Sequence, residues 1–378
     1  MRHLSLVFAF VFSFLSGSVY AANIPAAPTL AAKAYILRDF HSGNVIAEHA
    51  ARERIEPASL TKIMTAYLVF KSLQNGYMKP DQIVPVSTKA WKAEGSRMFI
   101  EPNKPVTVNE LLYGVIVQSG NDASIALAEG VAATEEAFAD MMNKEAARLG
   151  MTDTHFVNST GLPDPQHYTT AQDLSLLAAA LVRDFPEQYK QYYSTKEYTY
   201  NKITQANRNR LLWVDPHVDG MKTGHTESAG YCLITSAKRN DTRLISVVAG
   251  TPSETARATE SQKLLNYGFQ YYETTLVYKK GQPVKQLKVW KGHNDMLAST
   301  LAENLYLTLP KGQYSQVKAT VTSKQPLLAP INAGQPVGTV QFVLDGKVIG
   351  EEKLVAAEKV EVAGIFGRLW DSIKLWFE

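Results

Sequence analysis

The chain has 378 residues, 45% hydrophobic and 20% charged, a composition typical of a globular protein, so wholesale disorder is excluded. Its 39 lysines and arginines nearly balance 36 acidic residues, and a formal net charge of +3 argues against nucleic acid as a partner. A single cysteine, Cys232, excludes an intramolecular disulfide and a cysteine-based zinc site, and no His-Glu-x-x-His sequence occurs. We therefore expect no metal and no cofactor.

Residues 1–21 have the pattern of a secretory signal peptide. Arg2 precedes an apolar run from Leu4 to Leu15 that is too short to span a bilayer as a stable helix. Val19 and Ala21 occupy positions −3 and −1 of a small-residue cleavage site, so we expect export and cleavage after Ala21. The alternative is an uncleaved N-terminal anchor. The Ala- and Pro-rich stretch 22–32 predicts a flexible lead-in.

Residues 22–275 predict an α+β catalytic domain in which helices cover an antiparallel sheet. Alternating apolar residues predict two hairpins, Ala34–Phe40 with Val45–Ala50 and Gly230–Lys238 with Leu244–Gly250. Helical periodicity predicts helices over 59–73, 108–118, 122–132, 135–149, 170–183 and 254–272. Strands at both ends of the segment, with helices between them, are typical of this fold class.

Residues 276–360 predict a separate β-sandwich. Short apolar runs are separated by Gly, Pro and Asn, and Asp345-Gly346 between two of them is a strong hairpin signal. The runs cover 287–290, 305–309, 317–321 and 337–344. No set of catalytic residues lies here, and the sequence leaves open whether the domain is a spacer or a docking module.

Residues 361–378 predict an amphipathic helix. Its apolar residues recur at intervals of three and four, which is the spacing of one helical face: Ile365, Phe366, Leu369, Trp370, Ile373, Trp376 and Phe377. The helix is too short to cross a bilayer. Two interpretations remain: a terminal helix docked on its own domain, and an interfacial helix in the headgroup layer, which Trp and Phe favour.

The sequence Ser59-Leu60-Thr61-Lys62 begins the first predicted helix. Residues three apart lie on one helical face, so Lys62 can remove the proton from the Ser59 hydroxyl if its pKa is lowered. We expect burial and the charge of Lys222 to lower it. A second Ser-x-x-Lys, Ser315 to Lys318, lies in the β-rich part, where a strand would separate the two side chains.

Two further motifs, together with Ser59 and Lys62, suit a site for acyl transfer. Ser119-Gly120-Asn121 interrupts a helical region, and its hydroxyl and amide suit proton relay and the binding of a substrate carbonyl. Lys222-Thr223-Gly224 precedes a predicted strand, where Lys222 and Thr223 suit a carboxylate and Gly224 allows close approach of a substrate backbone. Separately, the motifs also fit a polar turn and an exposed strand edge.

The three motifs in this order resemble those of the low-molecular-mass penicillin-binding proteins, and most of all the D-alanyl-D-alanine carboxypeptidases of the penicillin-binding protein 5 and 6 type. The resemblance covers nearly the whole chain. It implies that Ser59 is the acylated nucleophile, Lys62 its base and Ser119 a proton relay. It implies substrate binding by Asn121, Arg208, Lys222, Thr223, Gly224 and His225, the last through its backbone N–H.

The resemblance also implies the partners and the location. The substrates would be peptidoglycan stem peptides ending in D-Ala-D-Ala, and β-lactam antibiotics would be covalent inhibitors. The protein would lie on the periplasmic face of the bacterial inner membrane, held peripherally by its C-terminal helix.

The middle motif differs from the Ser-Asp-Asn of class A β-lactamases, and no clear counterpart of their deacylating glutamate is present. Asp164 and Asp173 lie in the corresponding region without matching it. We therefore expect long-lived β-lactam adducts. Two alternatives stay open, a serine β-lactamase and a catalytically inactive wall-binding protein. A Ser-His-Asp hydrolase is disfavoured because no Gly-x-Ser-x-Gly occurs.

Overall fold

The computed structural model describes residues 24–377, so the predicted signal peptide lies outside the described residues. The helices and strands of the first part, in chain order, are β1 (Ala34–Asp39), β2 (Val45–His49), α1 (Lys62–Gln74), α2 (Thr88–Trp91), α3 (Val108–Ile116), α4 (Asn121–Ala132), α5 (Glu135–Arg148), α6 (Ala171–Asp184), α7 (Pro186–Tyr193), β3 (Glu197–Tyr200), β4 (Ile203–Ala206), α8 (Leu211–Val214), β5 (Val218–Thr226), β6 (Gly230–Arg239), β7 (Thr242–Thr251) and α9 (Glu254–Tyr271).

The β-rich part follows directly. Its elements are β8 (Tyr272–Tyr278), β9 (Lys285–Trp290), β10 (Met296–Leu301), β11 (Leu305–Pro310), β12 (Lys318–Ser323), β13 (Leu327–Leu328), β14 (Pro336–Leu344) and β15 (Lys347–Ala356), followed by α10 (Ile365–Lys374). The predicted domain boundary between residues 275 and 276 falls inside β8.

The first part is built on a five-stranded antiparallel sheet with the strand order β2-β1-β7-β6-β5. Successive residues of a strand point to opposite faces, so the central strands contribute side chains to two cores, one on each face of the sheet. Ile245 and Val247 of β7 pack into the larger core with the helices of residues 62–193, whereas Leu244 and Val248 pack with Leu264 of α9. The predicted α+β class is therefore confirmed, with β5 at the edge of the sheet.

Several short elements were not predicted. Helices α2 and α8 have four residues each, and β3 and β4 form a two-stranded hairpin outside the main sheet. Such segments are too short for periodicity to identify. Helix α7 begins at Pro186, and a proline in the first turn is a helix-start signal that sequence reasoning could have used.

The β-rich part is a sandwich, as predicted. A six-stranded sheet with the order β12-β14-β15-β10-β9-β13 packs against the two-stranded sheet β11-β8. Leu297 of β10, Leu307 of β11 and Val340 of β14 meet in the core between the two sheets. The β14–β15 hairpin turns at Asp345-Gly346, where both residues have positive φ angles of 50° and 78°, as this turn type requires.

The two parts are joined without a linker, because α9 continues directly into β8. A polar cluster also bridges them. The Thr274 hydroxyl donates to the buried Asp39 carboxylate at 2.6 Å. The Thr308 hydroxyl lies 2.7 Å from that of Ser42 and 3.0 Å from that of Thr274. These side-chain bonds stabilise one arrangement of the sandwich on the sheet.

Residues 24–32 do not form the expected flexible lead-in. They pack along α9, where Leu30 is buried. The Tyr267 hydroxyl donates to the carbonyl of Pro25 at 3.0 Å, and the Tyr35 hydroxyl to that of Pro28 at 3.3 Å. The prediction was wrong because the apolar Leu30 and its neighbours find a surface that only the folded sheet provides.

Helix α10 has an unburied apolar face. Phe366 is 89% exposed and Trp376, just after the helix, is 92% exposed. Its polar side contacts the sandwich instead, since the Asp371 carboxylate accepts a hydrogen bond from the backbone N–H of Lys291 at 2.6 Å. The helix therefore contacts its own domain through Asp371, and its apolar face takes no part in that contact. Among residues 24–377, no helix has the length and apolarity needed to cross a membrane.

Candidate active site

Ser59 lies on a 3₁₀ turn, Ala58–Thr61, that leads directly into α1. Ala58 has a φ angle of 47°, a conformation unusual for a residue with a side chain and often found near functional groups. Strand β5 packs against this turn through Gly224, where an added Cβ would lie 3.1 Å from the Pro57 carbonyl oxygen and 3.2 Å from the Leu60 side chain. The glycine thus lets the strand edge approach Ser59.

Lys62, in the first turn of α1, has a fully buried ammonium group directly beside Ser59. Its Nζ donates to Ser59 Oγ at 3.0 Å, to Asn121 Oδ1 at 2.7 Å and to the Thr160 carbonyl at 2.6 Å. Burial lowers the pKa of Lys62 to about 7, and the nearby Arg208 guanidinium acts in the same direction. A lysine with this pKa is partly neutral at physiological pH and able to accept a proton.

The Ser-Gly-Asn motif lies where α3 ends and α4 begins. Ser119 has a φ angle of 60°, and the Asn121 side-chain amide donates to the Glu94 carbonyl at 2.6 Å, which fixes its orientation. The next residue, Asp122, is fully buried and accepts hydrogen bonds from the backbone N–H groups of residues 98, 99, 100 and 123. At Gly120, a Cβ would lie 2.8 Å from that carboxylate, so the glycine of this motif makes room for it.

Lys222 on β5 is buried beneath the cleft. Its Nζ donates to Ser119 Oγ at 2.9 Å and to the Thr223 carbonyl at 3.0 Å. Burial, followed by the charges of Lys62, Arg208 and Arg257, holds the pKa of Lys222 well below its usual value. We expected Lys222 to lower the pKa of Lys62. The two buried lysines do repel each other, since the charge of Lys62 lowers the pKa of Lys222, and Arg208 is a further cation acting on Lys62 that we did not expect.

These groups converge on a cleft of about 230 Å³. Its lining includes the predicted residues Ser59, Ser119, Arg208, Thr223, Gly224 and His225. The His225 side chain is exposed and stacks on the Tyr231 ring at 4.0 Å between centroids. Arg208 is exposed and makes no hydrogen bond or ion pair with another described residue, so its guanidinium is available to an anion.

Four lining residues were missed by sequence reasoning: Ser96, Tyr231, Glu254 and Arg257. Arg257 is buried in the first turns of α9 and donates to the Gly224 carbonyl at 3.5 Å. No local sequence pattern identifies Arg257, because it reaches the cleft from α9, which is distant in sequence from the three motifs.

Asp164 and Asp173, the two carboxylates considered for deacylation, do not line the Ser59 cleft. Asp173 is buried at the start of α6 and accepts bonds from Asp153 N at 2.9 Å and Thr154 Oγ1 at 2.7 Å. Asp164 lines a different cleft. Among described residues that line the Ser59 cleft, the single carboxylate is Glu254, which pairs with Arg257 at 3.4 Å. Long-lived β-lactam adducts remain a prediction.

The fold is that of the low-molecular-mass penicillin-binding proteins. A family model described as D-alanyl-D-alanine carboxypeptidase matches residues 21–253, and one for the C-terminal domain of penicillin-binding protein 5 matches residues 272–362. The chain belongs to the D-alanyl-D-alanine carboxypeptidase family, and the function expected from its sequence is confirmed at this level, in preference to a β-lactamase or an inactive wall protein.

Individual relatives agree with this assignment. The D-alanyl-D-alanine carboxypeptidase DacC of Escherichia coli K12 is 43% identical, covering 100% of this chain and 96% of its own. Penicillin-binding protein 5 from Haemophilus influenzae has a structure with a TM-score of 0.87 at 40% identity, covering 89% of this chain and 99% of its own. Penicillin-binding protein D2 from Listeria monocytogenes, in its ampicillin-bound form, has a TM-score of 0.60 at 29% identity, covering 65% of this chain and 100% of its own.

Proposed function

We propose that Ser59 is the acylated nucleophile of a serine-type D-Ala-D-Ala carboxypeptidase and that neutral Lys62 is its base. The observation that carries this proposal is the 3.0 Å contact between Lys62 Nζ and Ser59 Oγ, made by a buried lysine with a pKa of about 7. Lys62 takes the hydroxyl proton as Ser59 Oγ forms a bond to the carbonyl carbon of the penultimate D-alanine. The backbone N–H groups of Ser59 and His225 stabilise the resulting oxyanion.

The second half of acylation uses the pair Ser119 and Lys222. Ser119 Oγ, held at 2.9 Å by Lys222 Nζ, relays a proton to the leaving nitrogen as the C–N bond breaks and free D-alanine departs. Water then hydrolyses the Ser59 ester. The unpaired guanidinium of Arg208 and the Thr223 hydroxyl bind the terminal carboxylate, which explains why the enzyme acts at the end of a stem peptide.

The test is an intact-mass time course of the mature protein mixed with penicillin, followed by proteolytic mapping of the adduct. We expect a persistent adduct on Ser59 and, in a separate assay, release of D-alanine from a peptide ending in D-Ala-D-Ala. Hydrolysed penicillin without an adduct would instead identify a β-lactamase. Intact penicillin without an adduct, together with no release of D-alanine, would leave a non-catalytic wall protein.

We further propose that the exported protein attaches to the periplasmic face of the inner membrane through α10. The exposed aromatic side chains on its apolar face suit the headgroup layer, and the bond from Lys291 N to Asp371 turns the opposite side toward the sandwich. The peptidoglycan stems would then be reached from the membrane surface.

Removing residues 363–378 is expected to weaken binding to vesicles of phosphatidylethanolamine and phosphatidylglycerol at least about tenfold, because the apolar face is lost. Co-sedimentation measures this. Phe366→Glu should weaken binding in the same direction. The matched control is Tyr77→Glu, because Tyr77 is also an exposed aromatic residue, at 80%, but lies in the first part of the chain. This variant should bind vesicles as the unaltered protein does. A truncated chain that sediments like the intact one would contradict the proposal.

A further inference from the structure

A neutral Lys62 must aim its lone pair at Ser59 to act as a base. The neutral amine has two N–H donors and one lone pair, and three oxygen atoms surround it. The Thr160 carbonyl can only accept, and so can Asn121 Oδ1, whose assignment follows from the bond of Nδ2 to the Glu94 carbonyl. These two acceptors take both N–H groups, which leaves the lone pair for the Ser59 hydroxyl.

The Thr160 carbonyl is therefore a directing group, and it lies in a turn rather than in a helix or strand. The side chain of Asn158 organises this turn. Its Oδ1 accepts hydrogen bonds from Thr160 N at 3.2 Å, Thr160 Oγ1 at 3.0 Å and Gly161 N at 2.7 Å. Its Nδ2 donates to the Leu162 carbonyl at 3.0 Å. One side chain thus makes four hydrogen bonds to three consecutive residues.

The same turn packs against the helix start that carries Ser59. Gly161 has a φ angle of 83°, and an added Cβ would clash with the Ala58 carbonyl and lie 2.8 Å from Thr61 Oγ1. The turn therefore touches the backbone immediately before the nucleophile as well as the nitrogen of the base. A shift of the turn would move both reacting groups relative to each other.

We propose that Asn158 is a positioning residue for acylation: it fixes the Thr160 carbonyl so that Lys62 points its lone pair at Ser59. This inference rests on the proposed roles of Ser59 and Lys62. Asn158 itself does not line the Ser59 cleft, so its effect passes through Thr160 and does not require contact with substrate. The group affected is the base, and the affected step is formation of the bond between Ser59 Oγ and the carbonyl carbon.

The experiment compares three variants of the mature protein by stopped-flow acylation with penicillin, separating the dissociation constant of the initial complex from the acylation rate constant. Asn158→Ala removes all four hydrogen bonds. Asn158→Asp keeps the acceptor oxygen. The matched control is Asn143→Ala, which removes two similar side-chain bonds to the backbone of Phe156, both at 2.8 Å, on the approach to the same turn.

We expect Asn158→Ala to lower the acylation rate constant about 10- to 100-fold, with the dissociation constant changed less than about twofold. Asn143→Ala should lower the thermal midpoint without changing the rate constant. Asn158→Asp should recover most of the rate at a higher pH, because the new carboxylate favours protonated Lys62, whereas Asn158→Ala stays slow at every pH.

Equal losses of rate in Asn158→Ala and Asn143→Ala would overturn the inference, since both would then report general loosening of the loop. So would an Asn158→Ala rate within about twofold of the unaltered protein, or an aspartate variant as slow as the alanine variant across the whole pH range. Failure of the unaltered protein to acylate at Ser59 is a separate result, and it would refute the proposed function rather than the role of Asn158 alone.

Discussion

Replacing Ser59 with alanine is expected to abolish the covalent penicillin adduct and to reduce D-alanine release by at least about 10⁴-fold. Alanine has no oxygen that could form the acyl ester. A water molecule attacking the peptide directly would not be held as Ser59 Oγ is, at 3.0 Å from Lys62 Nζ. Intact mass spectrometry after mixing with penicillin, and D-alanine release from a peptide substrate, measure the two losses.

The control is the second Ser-x-x-Lys sequence of the chain. Ser315 is exposed on a short 3₁₀ turn, and Lys318 begins β12, so the spacing is the same but the lysine is not buried. Ser315→Ala should keep full activity and a full adduct. An adduct of the same mass that persists in the Ser59→Ala variant would show that another residue is acylated.

The rate of acylation by penicillin should depend on pH with a midpoint near 7. Lys62 acts as a base only when neutral, and with a pKa of about 7 the neutral fraction is half at that pH. Below the midpoint, the neutral fraction and the rate fall about tenfold for each pH unit, whereas above it they reach a plateau. Second-order rate constants between pH 5 and 9 measure the profile.

Two variants and one control variant sharpen this test. Lys62→Met should lower the plateau about 10²- to 10⁴-fold, the usual contribution of a positioned general base, while Lys318→Met leaves it unchanged. Arg208→Gln removes a positive charge that lowers the pKa of Lys62, so the midpoint should move to higher pH. A midpoint near 10, or a rate that does not change between pH 5 and 8, would mean that Lys62 is not the base.

Much of this site was predictable because its chemistry is local in sequence. Ser59 and Lys62 are three residues apart at a helix start, and Lys222-Thr223-Gly224 lies on a single strand. The two hairpins and the sandwich strands also follow from alternation and turn residues, which depend on neighbouring positions. The α+β class could be inferred from the order of these elements alone.

The remainder of the site depends on contacts between distant parts of the chain. Thr160 contributes a backbone carbonyl to Lys62 across 98 positions of sequence, and every residue type has a carbonyl, so no pattern marks it. Arg257 reaches the cleft only because α9 packs on the sheet. The action of Arg208 on Lys62 was likewise not predicted, because the distance between these two side chains depends on contacts that the sequence does not contain.

The direct passage from α9 into β8, together with the bonds of Thr274 to Asp39 and Thr308, has a mechanical consequence. If this junction keeps the two parts in one arrangement, the molecule cannot extend or fold at its middle to reach a target. If α10 attaches one end to the membrane as proposed, the mouth of the cleft would instead move on an arc of fixed radius, by tilting of the whole molecule. The distance from the membrane at which such an enzyme can cleave stem peptides would then be set by the length of the molecule. Inserting residues between α9 and β8 would extend the range of distances that it can reach.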